Sequence, residues 1–287
     1  PDQNAVISGL EREDLFTVVL EQFMTDTARY DDIVLPATTQ LEHLDLGIAW
    51  GHLYLTLNQP AIEPIGDSLP NTEIFRRLAA EMGFADSGLR DTDESMIRQL
   101  LDSSHPWVRD ITYERLRRDT WARIAVRRGH RPNVDRPPDT PEHLLRLAPL
   151  TTSDRHEIER RTDSPFPLTL LSPKQHPKFL NTNYAAFEAH LPLEGTPQCR
   201  LHPTDAATRA ITSGDRVTVH NERGTITATA ELTTDVMLGT VAVPFGWMHR
   251  HSPEQRSVNV LTDPTIPADG DGSAAFLDTY VEVTGLG

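Results

Sequence analysis

The feature that most constrains the fold is a pair of alternating, strand-like runs joined by a short turn. Residues 215–232, DRVTVHNERGTITATAEL, place apolar side chains at nearly every second position on both sides of the turn NERG at 221–224. Such alternation is typical of strands with one buried face, and the glycine-containing turn indicates a β-hairpin. Gly224 is expected to adopt a positive φ there, because glycine tolerates that conformation.

Other short apolar runs surround this hairpin and predict further strands: PLTLLSP, LGTVAVPF, SVNVLT and FLDTYVEV. The segment 204–212, TDAATRAIT, is the one stretch in this half with helical spacing, and Thr204 or Asp205 is expected to cap it. Asp215 is interpreted as a turn residue. Dense short strands with one internal helix favour a closed barrel over a flat sheet.

The first half of the chain has a different pattern. The runs DLFTVVL at 14–20 and DIVL at 32–35 predict strands, and the stretch EQFMTDTARY between them has helix-compatible spacing. This order predicts a strand, a crossover and a second strand of an α/β layer. The chain that follows, to about residue 70, is rich in Gly, Pro and Asn and is expected to be irregular.

Three helices are predicted after that irregular stretch, from the strings NTEIFRRLAAEMGF, DESMIRQLLDSS and TYERLRRDTWARI. The first is expected to end at Gly83 and to use Asn71 or Thr72 as its cap. Its apolar stripe is predicted to consist of Ile74, Leu78 and Met82. The residues that follow are rich in Pro, Arg and Asp and show neither the helical nor the strand spacing of apolar residues. We interpret this stretch as a linker. The predicted organisation is therefore 1–127, linker 128–165, and 166–287.

Composition argues against several classes of partner. The 42 acidic and 27 basic side chains give a net charge of -15, which opposes nonspecific binding to nucleic acid or to anionic membranes. No apolar run approaches the roughly 20 residues that span a bilayer. The single cysteine, Cys199, cannot form an internal disulfide or alone hold an iron–sulfur cluster or a structural zinc ion. We therefore expect a cytoplasmic protein.

The amino-terminal sequence leaves two interpretations open. Pro1 is not an initiator methionine, and a strand-like run follows after about a dozen mostly polar residues. One interpretation is the middle of a longer protein. The other is a processed or tagged protein around a complete domain.

Specific strings in both halves carry a family resemblance. The segment DLFTVVLEQFMTDTARYDDIVLPATTQLEHLD, followed by the helix NTEIFRRLAAEMGF, is similar to the molybdopterin oxidoreductases of the dimethyl sulfoxide reductase and formate dehydrogenase superfamily. Asp32 departs from that pattern, since the family usually has alanine there. The strings LTLLSPKQHPKFLNT, HPTDAATRAITSGDRVTVHNERG, GTVAVPFGW, SVNVLTD and DGDGSAAFLDTYVEV resemble the molybdopterin dinucleotide-binding domain that closes these enzymes.

The resemblance implies a fold and a function. The expected fold is an α/β fragment of the molybdopterin oxidoreductase domain followed by a mainly-β double-psi barrel. The implied cofactor is molybdopterin guanine dinucleotide with molybdenum or tungsten. The family's cysteine cluster for iron–sulfur binding and its metal-ligating segment have no counterpart in these residues. We therefore expect a cofactor-binding C-terminal portion of an oxidoreductase that is inactive alone, with no catalytic residue and no metal ligand of its own.

The resemblance also implies which residues contact the cofactor, and their chemistry suits it. Asn259 can offer both a donor and an acceptor to a pterin edge, and on a strand Val258 and Val260 would leave its amide on the ligand side. Hydroxyl, amide and ammonium groups can meet pyrophosphate oxygens, and carboxylates can pair with ring nitrogens. The further predicted contacts are Thr262, Asp263, Ser172, Lys174, Asn181, Thr182, Asp278, Thr25, Asp26 and Thr27.

Several other residues are interpreted as structural. Glu42, at the end of LPATTQLE, is expected to support the fold rather than catalysis, and His249 and His251 are expected to be exposed loop residues without a metal. The string DGDGS at 269–273 is not a calcium loop, because its twelfth position is Tyr280 and not glutamate. The string DSG at 86–88 lacks the second copy that an aspartic protease requires.

Two functional hypotheses remain at this point. The first is the cofactor-binding part of a molybdenum or tungsten oxidoreductase, partnered by the missing N-terminal part of the same enzyme and an electron-transfer subunit. The second is a stand-alone double-psi barrel that acts as a binding or adaptor module, since such barrels also occur outside redox enzymes. Neither hypothesis involves nucleic acid or a membrane.

Overall fold

The structure is a computed structural model that describes residues 2–135, 139–144, 164–174, 182, 184–252, 254–263 and 278–286. The chain divides into two compact units. One consists of Pro1–Thr17, Phe23–Asp32 and Ala148–Gly287, and the other of Val18–Gln22 and Ile33–Leu147. Most of the predicted linker 128–165 lies outside the described residues. None of the described helices combines the length and the hydropathy needed to cross a bilayer.

The unit formed by Val18–Gln22 and Ile33–Leu147 begins with a parallel pair of strands, as predicted. Strands β1 (Val18–Glu21) and β2 (Ile33–Pro36) pair in register, so the strand–crossover–strand interpretation is confirmed, although β1 is shorter than expected. The expected helix between them is wrong. Only a 3₁₀ turn, Thr27–Arg29, forms there. The Thr25 hydroxyl accepts a hydrogen bond from the Ala28 amide, and such side-chain bonds compete with a continuous helix.

Two strands of a three-stranded antiparallel sheet lie in the stretch that is predicted to be irregular, and the third lies in the predicted third helix. The sheet consists of β3 (Asp45–Ile48), β4 (Tyr54–Asn58) and β5 (Trp121–Arg123) in the order β3-β4-β5. Leu55 and Leu57 of β4 face the core at 6% and 5% exposure. Their two-residue spacing is the strand period, and that signal in the sequence was missed.

The three predicted helices are present as α2 (Asn71–Glu81), α3 (Asp93–Leu101) and α4 (Tyr113–Asp119). The third ends earlier than expected. Thr120 takes a left-handed conformation with φ 64°, and the chain then enters β5 instead of continuing as helix. The unit's core lies between α3, α4 and the sheet; its buried residues are Leu55, Leu57, Ile97, Leu101, Ile111, Tyr113, Leu116 and Ala122.

Details of α2 correct the sequence interpretation. Pro70 occupies the cap position, so Asn71 and Thr72 already lie inside the first turn and neither caps the helix. The buried residues are Ile74 and Ala79, whereas the expected stripe members Leu78 and Met82 are largely exposed. Gly83 ends the helix with φ 71°, as predicted.

The other unit contains a closed six-stranded barrel, which confirms the predicted barrel. The strands are β6 (Leu168–Leu171), β7 (Gln198–Leu201), β8 (Arg216–Asn221), β9 (Gly224–Leu232), β10 (Thr240–Ala242) and β11 (Thr279–Gly285). They run in the order β10-β6-β11-β8-β9-β7, with parallel pairs β10–β6 and β7–β9. Fully buried side chains fill its interior, among them Leu168, Leu170, Leu201, Val217, Val219, Val241, Val260, Leu261, Val281 and Val283.

The β8–β9 hairpin is present with Asn221 opposite Gly224, as predicted. The positive φ expected of Gly224 is wrong, since this residue is not among those with positive φ. Gly224 instead allows the hairpin backbone to lie very close to Val260. A Cβ atom there would lie 3.2 Å from Val260 Cγ2 and 3.3 Å from the Val260 carbonyl oxygen. Glycine lets the hairpin touch the 257–262 segment.

That segment corrects another prediction. SVNVLT was expected to be a strand, but Val258–Val260 form a 3₁₀ turn. The Ser257 hydroxyl accepts from the Asn259 amide N–H at 3.4 Å, and the Thr262 hydroxyl donates to the Asn259 carbonyl at 3.1 Å. Hydroxyl side chains on both flanks thus bind the backbone of the turn and replace the partners that a neighbouring strand would supply.

The internal helix is shorter than predicted and has a different cap. It spans Pro203–Ala207, and His202 Nδ1 accepts from the Thr204 amide, so neither Thr204 nor Asp205 is the cap. Asp205 instead accepts from the Gly239 amide at 2.7 Å. Asp215 is a turn residue, as predicted, and its carboxylate accepts from the Thr212 amide and hydroxyl.

Short helical elements complete the described chain. An amino-terminal helix, α1 (Gln3–Leu10), was not predicted; Asp2 caps it by accepting from the Ala5 amide at 3.1 Å. The remaining elements are the short helices Pro132–Asp135 and Leu191–Glu194 and the 3₁₀ turns Ser87–Arg90, Glu188–His190 and His249–His251.

Candidate functional site

Helix α1 binds the same 3₁₀ turn that carries Asn259. The Gln3 side-chain oxygen accepts from the Ser257 amide and hydroxyl at 3.3 and 2.8 Å. Asn4 donates to the carbonyl oxygens of Arg223 and Val260 at 3.1 and 3.4 Å. These bonds join residues about 220 to 260 positions apart in sequence, so the amino-terminal helix is part of the barrel unit.

An ion pair reinforces this contact. Arg223, in the hairpin turn, lies 2.6 Å from the Asp2 carboxylate and 3.8 Å from that of Asp263. All three side chains are half-buried. The pairing places the predicted contact Asp263 beside a guanidinium, which neutralises part of its charge.

A second turn, His249–His251, is held by the predicted loop at 25–27. The Asp26 carboxylate accepts from the His249 amide at 2.9 Å, and Arg250 donates to the Met24 carbonyl at 3.2 Å. The Gln3 amide also contacts the His249 ring. His249 is therefore buried at 7% exposure, and the expectation that it lies in an exposed loop is wrong.

These elements enclose a polar cavity of about 560 Å³. One face of α1 contributes the residues at positions 4, 7 and 8, and Glu11, which follows the helix, continues the same spacing. The other walls come from the 25–30 loop and the 249–256 segment. The lining residues are Asn4, Ile7, Ser8, Glu11, Asp26, Arg29, Tyr30, His249, Gln255 and Arg256.

The chemistry of this cavity suits a ligand with both anionic and amide-like groups. Arg29 and Arg256 can bind oxyanions through charge-assisted hydrogen bonds. The amides of Asn4 and Gln255 can pair with a heterocycle edge as donors or acceptors. Of the predicted contacts that the structure describes, only Asp26 lines it. Sequence reasoning missed the two arginines and α1, although Val6, Ile7 and Leu10 gave α1 a helical apolar spacing.

A smaller cavity of about 150 Å³ brings two other predicted residues together. Asp263 and Asp278 line it with Arg223 and Asn221. Asn221 donates to the carbonyl oxygens of Leu261 and Tyr280 at 2.9 and 3.1 Å and so fixes one wall. The remaining lining residues are Ser164, Phe166, Glu222, Leu261, Thr279 and Tyr280.

The remaining predicted contacts differ in accessibility. Asn259 is half-buried, and the structure gives its side-chain amide no hydrogen bond among the described residues, so both its donors and its acceptor are available. Thr262 is fully buried, and its hydroxyl accepts from the Asp2 amide while donating to the Asn259 carbonyl. This arrangement positions the turn that carries Asn259.

The loop after β6 carries Ser172, which is half-buried, and Lys174, which is exposed and forms a β-bridge with Phe245. Thr182 and Thr27 are exposed, and Thr25 is half-buried. Asn181 lies outside the described residues. The structure thus places Asp26 in the large cavity and the pair Asp263 and Asp278 in the small one.

Cys199 is buried in the barrel core, and burial raises the pKa of its thiol to about 12. A thiol with such a pKa stays protonated at neutral pH, and thiolates rather than thiols ligate metals. Among the residues that the structure describes, no group of three or more His, Cys, Asp or Glu side chains is arranged to hold a metal ion.

Glu42 lies in the unit formed by Val18–Gln22 and Ile33–Leu147. Its contacts support the fold, in agreement with its interpretation from sequence. The side chain is 5% exposed, and its carboxylate accepts from the Thr39 and Ile65 amides at 2.6 and 2.7 Å. The bond from the Thr39 amide is the largest influence that lowers the carboxyl pKa below its usual range, and the Ile65 and Ser68 bonds act in the same direction. Glu42 therefore ties the 39–42 turn to the 65–68 turn.

This lowered pKa predicts a pH dependence of stability. A carboxyl whose folded pKa is depressed stabilises the fold above its unfolded pKa, and that contribution disappears as the pH falls through the folded pKa. We expect Glu42→Gln to lower the melting temperature at neutral pH, since an amide nitrogen cannot accept from a backbone N–H. The difference from the unsubstituted protein should vanish in acid.

Melting curves measured from neutral to acidic pH test this prediction, with Glu63→Gln, an exposed glutamate of the same unit, as the matched control. An equal loss at all pH values, or the same loss in Glu63→Gln, would contradict the role given to the Glu42 carboxylate.

Family models match both halves of the chain. The molybdopterin oxidoreductase model matches residues 1–81, and the molybdopterin dinucleotide-binding domain model matches residues 168–275. Together they cover about two thirds of the chain. The chain belongs to the molybdopterin oxidoreductase family. Its C-terminal half is the dinucleotide-binding domain, and the cofactor of this family is molybdopterin guanine dinucleotide carrying molybdenum or tungsten.

Individual relatives agree with this assignment. The chain is 35% identical to a probable oxidoreductase, YoaE, of Bacillus subtilis, over 99% of this chain and 42% of the relative. It is 29% identical to the alpha subunit of an F420-dependent formate dehydrogenase of Methanocaldococcus jannaschii, over 93% of this chain and 38% of the relative. It is 30% identical to a biotin sulfoxide reductase of Cereibacter sphaeroides, over 90% and 38% respectively.

A solved structure shares the fold. Acetylene hydratase from Pelobacter acetylenicus superposes with a TM-score of 0.64 at 20% identity, over 99% of this chain and 42% of that one. The chain thus spans less than half the length of each of these relatives.

Proposed function

We propose that this chain forms one side of the cofactor site in a longer molybdenum or tungsten oxidoreductase. The observation that carries the proposal is the 560 Å³ cavity, in which the family's two matched segments meet: α1 and the 25–30 loop from the first model, and the 249–256 segment from the second. The bound cofactor would supply the redox-active metal. The residues of this chain bind and orient it.

The donor set fits such a ligand. Arg29 and Arg256 would bind pyrophosphate oxygens, since guanidinium groups suit phosphate geometry. Asn259, with a side-chain amide that is available, would pair with a pterin edge. Asp263 and Asp278 would accept from the ring nitrogens of a guanine-like group. Lys174 and Ser172, on the loop after β6, would add further contacts to the pyrophosphate.

Thr25, Thr27, Thr182 and Asn181 remain predictions, and Thr262 is proposed to act through the turn that it holds. We further propose that the barrel is of the double-psi type, which its six closed strands and two parallel pairs support. The boundaries 1–127, 128–165 and 166–287 stay a prediction for the parent protein, as does its cytoplasmic location.

The parent's other partners belong to the same proposal. An upstream part of the same enzyme would carry the iron–sulfur cluster and the metal ligand, and a separate subunit would transfer electrons. Two relatives are named as alpha subunits of formate dehydrogenases, which supports a multisubunit assembly. The isolated chain should show no oxidoreductase turnover. The adaptor hypothesis is not favoured, because the relatives match both halves of the chain and not the barrel alone.

The proposal is tested by the pterin content of the full-length parent protein, measured as the fluorescence of the oxidised pterin after acid release. We expect Arg256→Ala to lower pterin occupancy at limiting cofactor by roughly tenfold, the effect of losing one charge-assisted hydrogen bond. The matched control is Arg200→Ala, which removes an exposed arginine paired with Glu231 on the barrel surface. Equal pterin content in both variants and the unsubstituted protein would count against this site.

A further inference from the structure

A third cavity in the barrel unit has the opposite charge character to the chain as a whole. It has a volume of about 410 Å³ and shares no lining residue with the 560 Å³ cavity. Among the described residues, its lining contains no carboxylate but two arginines, a histidine and four hydroxyl side chains: Arg216, Arg250, His251, Thr196, Thr227, Thr229 and Ser252. The chain as a whole has a net charge of -15, so the charge of this lining has the opposite sign to that of the whole chain.

The cationic groups are held in different ways. Arg250 donates through Nε to His251 Nε2 at 2.9 Å and through Nη1 to the Met24 carbonyl at 3.2 Å, so its guanidinium is fixed while Nη2 has no recorded partner among the described residues. Arg216, at the start of β8, is exposed, and its side chain has no ion pair or hydrogen bond within the described part of the chain. One guanidinium is thus preorganised and the other is available.

Hydroxyl groups complete the lining. The Thr196 and Thr229 hydroxyls lie 3.4 Å apart, and each can reorient to donate to a ligand. Within the described part of the chain, the Ser252 hydroxyl has only a long contact of 3.4 Å to the Met248 carbonyl. Thr227 differs, because its amide donates to the Glu254 carboxylate at 3.0 Å and its hydroxyl also bonds that carboxylate. The Thr196 hydroxyl also accepts from the Gln198 amide at 3.1 Å, and its O–H, like those of Thr229 and Ser252, can still donate to a ligand.

We propose that this cavity binds the phosphate group of a small phosphorylated molecule, with Arg216 and Arg250 as its charged ligands. A phosphate has three or more oxygens that need donors on several sides, and two guanidinium groups with three hydroxyls meet that need better than they meet a two-oxygen carboxylate. The volume lies within the range of small-molecule sites and exceeds that of a free phosphate ion. This inference goes beyond the proposed cofactor site and does not depend on it.

Phosphate binding to the 287-residue chain tests the inference, by calorimetric titration with inorganic phosphate near neutral pH. We expect saturable binding at millimolar phosphate. Arg216→Ala should weaken it roughly tenfold, as loss of a charge-assisted hydrogen bond predicts, and Arg216→Lys should lose less because the charge remains. Arg200→Ala removes the same charge from the barrel surface outside the cavity and should leave the affinity nearly unchanged.

Two further titrants identify the source of the phosphate. Pyrophosphate binding more tightly than glycerol phosphate would indicate a nucleotide-like pyrophosphate, and the reverse preference would indicate a phosphomonoester; either result supports a phosphate site. Acetate binding as tightly as phosphate would overturn the assignment. So would the absence of saturable phosphate binding, or an equal loss of affinity in Arg216→Ala and Arg200→Ala, which would show only nonspecific charge screening.

An independent readout is the His251 imidazole. Burial, and then the charge of Arg250, lower its pKa, while the carboxylates of Asp26 and Glu188 act in the opposite direction. A bound phosphate adds negative charge and should therefore raise this pKa, as measured by NMR titration of the imidazole protons. An unchanged His251 pKa at saturating phosphate would place the anion elsewhere and overturn the assignment. This result is separable from pterin content, which tests the proposed function.

Discussion

Replacing Leu201 with alanine should lower the free energy of unfolding of the barrel by about 2–5 kcal/mol, the usual cost of truncating a buried leucine. Leu201 ends β7 at 0% exposure and packs in the barrel core. Its strand pairs with β9 on one side and β10 on the other, so the neighbouring backbone is held in place and cannot close around the lost volume.

Urea unfolding followed by far-ultraviolet circular dichroism gives this quantity. Leu238→Ala is the matched control, because Leu238 lies in the same unit at 61% exposure and should change stability by only a few tenths of a kcal/mol. If Leu201→Ala unfolds at the same urea concentration as Leu238→Ala, the barrel interior assigned to Leu201 is wrong.

The second large effect concerns cofactor binding and not folding. We expect Asn259→Asp to weaken cofactor binding in the full-length parent protein by about tenfold to a hundredfold, which corresponds to roughly 1–3 kcal/mol. Aspartate keeps the size of asparagine but loses its two donors and adds charge beside an anionic ligand. The side chain is half-buried without a recorded partner in the described residues, so its replacement removes no known bond that holds the fold.

Pterin content and melting temperature of the parent are the measurements. Asn58→Asp serves as a control of the opposite kind, since the Asn58 amide donates to the carbonyls of Gln40 and His43 and its loss should cost stability. Full cofactor occupancy in Asn259→Asp, or loss of cofactor only through loss of folding, would refute the contact proposed for Asn259.

The barrel was predictable because its strands carry local signals. Apolar and polar residues alternate in the sequences of β8 and β9, and in the structure these two strands pair with each other. The segment 257–262 also has an alternating apolar pattern, yet it forms a 3₁₀ turn, because Ser257 and Thr262 bond the backbone that a strand would leave for a neighbour. Pattern alone does not distinguish these two outcomes.

The cavities were less predictable for a different reason. Asp26 and the His249 amide, which it binds, lie 223 residues apart in the sequence. No local sequence pattern around either residue predicts the contact between them. The family resemblance placed Asp26, Asp263 and Asp278 among the predicted contacts. It did not identify Arg29, Arg256 or Arg216, because an exposed arginine acquires a ligand role only from the side chains that the fold brings beside it.

The absence of a Cβ at Gly224 has a consequence for how Asn259 is positioned. The hairpin tip rests directly against Val260, Asn221 donates to the Leu261 carbonyl, and Asn4 bonds both the Arg223 and the Val260 carbonyls. The hairpin tip therefore fixes the position of the turn that carries Asn259. Any side chain at position 224 would shift that turn by a few tenths of an ångström, so the hairpin aligns the cofactor contact that is proposed for Asn259.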